Sequence, residues 1–250
     1  MKNILNRFPL KNIILLLVIL PVLSACSHLS PQPVMTQAML EHAYSNAIED
    51  AKVAQQSEIY KNLVAIVPSN DSLRWEKKTG DVLVVTWTSW NGYDDHIGKP
   101  VDLSRPVWVT VVPEIRTFCR RQPIPAAHIP LRLEQLLGLP PDNGKTKFVE
   151  MWVSPKDLFR PSPDPEVSDH EAELDFPESP IYVTVSQSHR EWINDLIQTS
   201  YGPDGYPWTR LGYTYDWGNP DNEIGLSEFV IRSGATVTVK AVTDTLSYCQ

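Results

Sequence analysis

The apolar positions along this chain change rhythm several times, and each change predicts an element. From Val34 to about Ala54, Met35, Met39, Ala43, Ala47 and Ala51 recur at four-residue spacing, with Ala38 and Ile48 beside them. That spacing lines one face of a helix. Leu73–Lys77, Val82–Ser89, Val107–Val112 and Lys147–Val153 are short runs rich in Val, Thr and Trp, bounded by turn signals such as Asn91-Gly92 and Pro113. They read as strands. The run from Pro130 to Gly138 reads as a short helix, with Pro in its first turn and Gly at its end.

The second half alternates in the same way. Residues 155–180 interleave prolines with acids and predict a long surface excursion, with a short strand at Ala172–Phe176. Ile181–Val185 reads as a strand that enters a helix. Ser188 and Glu191 form a capping box for it, Trp192, Leu196, Ile197 and Tyr201 its apolar face, and Gly202 its end. Trp208–Asp216 has strand character. Glu228–Ile231 and Ala235–Val242 read as a hairpin around Arg232-Ser233-Gly234. The expected class is α+β: an N-terminal helix, then an antiparallel or mixed sheet with a short middle helix and one late helix. There is no internal repeat and no alternation of strands with helices.

The N-terminus follows a different logic. Lys2, Arg7 and Lys11 precede the run Ile13–Leu20, and no acid accompanies them. A positive start followed by a short apolar stretch is the layout of a secretory signal. The stretch is shorter than the roughly 20 residues needed to cross a bilayer. It ends in Leu23-Ser24-Ala25-Cys26. Small residues before a cysteine resemble the lipobox of bacterial lipoproteins. That resemblance covers residues 1–26 alone. It implies removal of residues 1–25, lipidation of Cys26 by acyl chains such as palmitate, and anchoring to a membrane through the lipid. Acyl chains contribute about 0.8 kcal/mol per buried methylene, enough for lasting attachment when several are present. Ser27, where inner-membrane sorting would favour Asp, resembles an outer-membrane address in the bacterial envelope, facing the periplasm or the surface. The expected organisation is a signal at 1–25, a lipidated tether at 26–33, an N-terminal helix within 34–60 and a single α+β domain at 61–250.

Cleavage changes the charge and the cysteine count. The chain has 22 basic and 30 acidic residues; residues 1–25 carry three of the bases and no acid, which leaves 19 against 30, a net of −11. An acidic surface gains nothing from counterion release, so no nucleic-acid partner is expected. Of three cysteines, Cys26 is assigned to lipid, which leaves Cys119 and Cys249 as an even pair in an oxidising compartment. They are expected to form a disulfide.

Two segments carry candidate chemistry. Asp94, Asp95 and His96, in the loop Trp90–His96, offer oxygen and nitrogen ligands for a divalent cation, the one cofactor considered. The segment Gly202–Gly218 is dense in aromatic residues, and Glu223 and Glu228 follow it. Tyr206, Trp208, Arg210, Tyr213, Tyr215 and Trp217 are candidate ligand contacts, since aromatic faces with nearby carboxylates suit sugar rings. Asp216 and Glu228 are the matching candidate catalytic acids, if their separation suits two-carboxylate chemistry. The chain contains no Gly-x-Ser-x-Gly, His-Glu-x-x-His, Walker, dinucleotide or Cys-x-x-Cys signature. The leading expectation is therefore a membrane-anchored envelope lipoprotein acting as a non-enzymatic binding or assembly module, with an envelope protein or a glycan as its partner. The alternatives are a carbohydrate- or peptidoglycan-active protein using residues 206–228, and a metal-dependent module at Asp94, Asp95 and His96.

Overall fold

Strand sequences such as Val82–Thr88, with apolar residues at consecutive positions, suit a sheet covered on both faces, and that is how they are used. The structure is a computed structural model that describes residues 35–121, 124–178 and 183–250. The signal, Cys26, the tether and the first two residues of the Ile181–Val185 strand lie outside the described residues. Residues Met35–Gln250 form one compact unit of α+β class.

Nine strands and five α-helices are described. In chain order they are α1 (Gln37–Ala51), β1 (Val82–Thr88), β2 (Pro100–Asp102), β3 (Val107–Val111), α2 (Glu114–Arg121) and α3 (Ile129–Leu136). Then come β4 (Lys147–Val153), β5 (Leu158–Phe159), α4 (Gln187–Thr199), β6 (Tyr213–Tyr215), β7 (Ile224–Ser227), β8 (Phe229–Ile231), β9 (Thr236–Asp244) and α5 (Thr245–Tyr248). Seven strands make one antiparallel sheet in the order β2-β9-β4-β1-β3-β8-β5, and β6 and β7 pair separately.

The expected hairpin of Glu228–Ile231 with Ala235–Val242 does not form. β8 pairs with β3 and β5, while β9 pairs with β2 and β4. Four strand spacings separate β8 from β9, about 19 Å across a flat sheet. The link from Ile231 to Thr236 reaches at most about 18 Å fully extended. It is not extended: Ala235 N–H donates to the Arg232 carbonyl, and Gly234 takes a positive φ of 83°. The sheet must therefore curl so that its two ends approach. Its inner face is filled by one cluster that includes Val82, Val109, Val149, Phe229 and Val239.

The outer face carries a second core. Leu83, Val85, Trp87 and Phe148 pack against Ile115, Leu133 and Leu136 of α2 and α3 and against Tyr248 of α5. Glu150, also on this face, is buried yet fully served. It accepts from Arg116 Nη2 (3.0 Å), Tyr248 Oη (3.1 Å) and Lys240 Nζ (3.1 Å). Cys119 of α2 and Cys249, just after α5, come within disulfide reach, with Cα atoms 5.2 Å apart. Cys119 lies on the helix that follows β3, and Cys249 caps the short helix that follows β9.

Helix α1 lies on the domain. Its buried face is Leu40, Tyr44, Ala47, Ile48 and Ala51, while Met35 and Met39 are exposed. Tyr44 Oη donates to the Gly205 carbonyl (3.0 Å), and its ring meets Trp217 edge-on. Residues 160–164, expected at the surface, are buried. Arg160 anchors them: its Nη2 donates to the carbonyls of Val64 (3.0 Å) and Asp169 (2.7 Å), and its guanidinium sits over Phe229. For α4 the cap is Ser186, whose Oγ accepts from His189 N–H, so the cap lies two residues before Ser188. Trp208–Asp216 is strand only at Tyr213–Tyr215, because Arg210 and Gly212 adopt positive φ. Leu73–Lys77 reduces to one bridge, Trp75 with Val82.

Candidate functional site

Alternation along β3 places Val107, Val109 and Val111 toward the inner cluster and turns Trp108 and Thr110 outward. β8 pairs with β3 so that Val109 lies opposite Phe229. Continuing that register sets Glu228 opposite Thr110, on the outer face. Val85 is the cross-strand partner of Thr110 on the other side. At this end of the sheet, of the helices in the second core, only the start of α2, with Glu114 and Ile115, reaches the outward residues. The segment Tyr206–Tyr215, the loop Leu137–Leu139 and the end of α4 stand over them. Between these layers lies a cavity of about 540 Å³, within the range that holds a small organic ligand.

The cover is fixed by hydrogen bonds at several points. Thr214 Oγ1 donates to the Leu136 carbonyl (2.6 Å) and accepts from Leu226 N–H (2.9 Å). Trp208 Nε1 donates to the Pro161 carbonyl, and Tyr201 Oη to the Trp208 carbonyl. Gly138, with a φ of 62°, brings its loop so close to Tyr215 that a Cβ would lie 3.3 Å from that residue's carbonyl oxygen. A side chain here would push the loop and the cover apart.

Eight aromatic residues line the cavity: Trp87, Trp90, Tyr93, Trp108, Tyr206, Trp208, Tyr213 and Tyr215, of which Tyr213 and Tyr215 donate their hydroxyls outside it, to the Glu58 carbonyl (3.0 Å) and to Asp50 Oδ2 (2.7 Å). Among the described lining residues Glu228 is the sole acid, and Lys145 and Arg105 are the cations. Glu228 lies deep in the molecule with its carboxyl on the cavity. It accepts no hydrogen bond from another described residue, and burial raises its pKa from 4.5 to about 8. Burial also lowers the Lys145 pKa. Beside the cavity, burial raises Glu114 to about 7. Thr110 Oγ1 is 2.7 Å from Glu114 Oε2 and 2.9 Å from the Ser227 carbonyl. One hydroxyl proton serves one acceptor at a time. Protonated Glu114, donating to Oγ1 and freeing the hydroxyl for Ser227, satisfies both contacts, in keeping with the raised pKa.

The sequence candidates divide between lining and scaffold. Tyr206, Trp208, Tyr213, Tyr215 and Glu228 line the cavity. Arg210 and Trp217 do not: Arg210 Nη2 donates to the Lys52 carbonyl, and Trp217 Nε1 to the Leu139 carbonyl. Asp216 is gripped at both oxygens by Arg132, at 2.8 and 2.6 Å, with its carboxyl buried. It is a structural acid and does not share the cavity with Glu228. Asp94, Asp95 and His96 do not converge. Asp94 Oδ2 accepts from Lys147 Nζ (2.6 Å), and Asp95 is exposed. Among the described residues, Asp164, Glu166 and Asp169 are the acids close enough to share a cation. Buried Arg160 stands beside them, with Nε 3.8 Å from Asp169 Oδ1, and already supplies positive charge there.

The loop Trp90–His96 thus contributes through Trp90 and Tyr93 rather than through its ligand-like side chains. Sequence reasoning passed over Trp87, Trp108, Lys145 and Arg105. The available signal was the Trp within Val-Trp-Val-Thr-Val, a large apolar side chain at an outward strand position. Comparison with protein-family models, with curated proteins and with solved structures finds no match.

Proposed function

We propose that this chain is a lipid-anchored protein of the bacterial envelope that binds a small molecule in the aromatic cavity, without turning it over. The observation that carries the reading is the meeting of two distant segments, Trp90–Tyr93 and Tyr206–Glu228, around one cavity with a single deep carboxyl. Aromatic walls with a few placed polar groups are the usual composition of a ligand site. Binding is favoured over hydrolysis because Asp216, the second acid that glycoside chemistry would need, is occupied by Arg132. The described lining also contains no His or Cys. The lipobox resemblance of residues 1–26 supports the anchor.

A thermal-shift screen of small ammonium, saccharide and aromatic compounds tests the reading. Leu196, on the cavity wall, replaced by Trp fills part of the space. The expected result is stabilisation of the wild-type protein by at least one compound and no response from Leu196→Trp. Equal responses from both proteins, or turnover of an envelope glycan by the wild type, would overturn it.

A further inference from the structure

Resting on the reading of the cavity as a binding site, we propose that its ligand is a zwitterion, held with an alkylated ammonium group against Glu228 and an anionic group toward Lys145 and Arg105. The lining orders its charges by depth. Glu228 and Lys145 are both half-buried, with Glu228 the more closely enclosed by protein, and Arg105 is exposed. No described residue donates to the Glu228 carboxyl, and the side chains of Lys145 and Arg105 make no hydrogen bond or ion pair with another described residue. A carboxyl with no donor facing it, inside aromatic walls, suits a partner that brings positive charge without needing hydrogen-bond acceptors. An alkylated ammonium is such a group: it gains from the negative faces of Trp and Tyr and, as its charge favours release of the Glu228 proton, from the carboxylate as well. A ligand carrying only that cation would also meet Lys145 and Arg105 at like charge. A second, anionic group turns that repulsion into attraction.

A neutral sugar fits the same lining less well. It needs several convergent polar partners for its hydroxyls. The hydroxyls of Thr110 and Thr214 are committed to protein acceptors, and Thr88 Oγ1 accepts from Trp90 N–H. The hydroxyls of Tyr93, Ser200 and Tyr206 have no partner among the described residues and could serve a sugar, but a neutral sugar would leave the charges of Glu228, Lys145 and Arg105 unmatched.

Four of the eight tryptophans line the cavity, so intrinsic fluorescence reports occupancy. The full lipoprotein in detergent is titrated with choline phosphate, choline, the uncharged isostere 3,3-dimethylbutan-1-ol, N-acetylglucosamine and the dye 1-anilinonaphthalene-8-sulfonate. Choline phosphate is expected to bind at least tenfold more tightly than the uncharged alcohol, with choline in between. Glu228→Gln should lose at least tenfold in choline phosphate affinity and leave the alcohol unchanged. Glu228→Asp, which keeps the charge, should retain part of the affinity. Lys145→Met should weaken choline phosphate toward the level of choline. Circular dichroism establishes that each variant is folded. Equal affinity for the alcohol or the sugar, or indifference to Glu228→Gln, would overturn the zwitterion. The cavity reading survives that outcome if Leu196→Trp abolishes binding of the preferred probe. It falls as well if no probe binds, or if binding persists in Leu196→Trp.

Discussion

Replacing Glu228 by Gln should make the protein more stable at alkaline pH. The carboxyl ionises near 4.5 in the unfolded chain and near 8 in the folded one, because burial opposes its charge. Between these values the folded state holds a proton that the unfolded state has released. Stability therefore falls as pH rises from about 4.5 to about 8 and then levels off. At about 1.4 kcal/mol per pH unit the whole interval corresponds to at most about 5 kcal/mol. Solvation of the carboxyl from the cavity reduces this, and a gain of roughly 1–3 kcal/mol for Glu228→Gln at pH 8.5 is expected. At about pH 3.5, where both states are largely protonated, the variant and wild type should agree closely. Urea unfolding at a series of pH values, followed by tryptophan fluorescence, measures the difference. Glu114, raised to about 7, adds a slope of the same sign in both proteins and cancels in the comparison. A variant that is no more stable than wild type at pH 8.5, or equally offset at every pH, would refute the reasoning.

Asp216→Asn should cost roughly 2–4 kcal/mol, since it leaves the largely buried Arg132 guanidinium without its carboxylate. Thermal unfolding checks this, and the variant should still respond to cavity ligands if Asp216 is structural. Cys119 and Cys249 close a loop across 130 residues. Losing that link through Cys119→Ser should cost about 4–5 kcal/mol by the chain-entropy relation. In the wild-type protein, alkylation without reduction should label neither cysteine. Cys26→Ser should abolish incorporation of labelled palmitate and release the protein from membranes; unchanged membrane association would remove the lipid-anchor assignment.

How much of this was legible in the sequence depended on whether a signal was local. Strand β4 ends where its Val and aromatic pattern ends, at Lys147 and Val153. The middle helix is marked by Pro130 and Gly138 on either side. Pairing partners are set by tertiary packing, and here the sequence misled. The turn at Arg232–Gly234 reads as a hairpin because three residues can form one. The sheet instead curls and inserts β4, β1 and β3 between the two flanking strands. Arg210 is a second case, since its positive φ breaks a segment whose alternation suggests a continuous strand. At the site, composition identified the aromatic segment but could not separate lining from scaffold. Trp208 and Trp217 are the same residue type nine positions apart. One lines the cavity, and the other ties the cover to Leu139. Nor could composition distinguish Asp216 from Glu228. That difference rests on Arg132, 84 residues away in sequence.

Everything proposed for the cavity beneath the Tyr206–Tyr215 cover requires that it hold a small molecule. Native mass spectrometry of the protein isolated from the cells that make it addresses this most directly. A defined small-molecule adduct is expected at one per chain on the wild type, absent from Leu196→Trp and weakened by Glu228→Gln. A wild-type protein that carries no adduct, or an adduct that persists equally in Leu196→Trp, would contradict it.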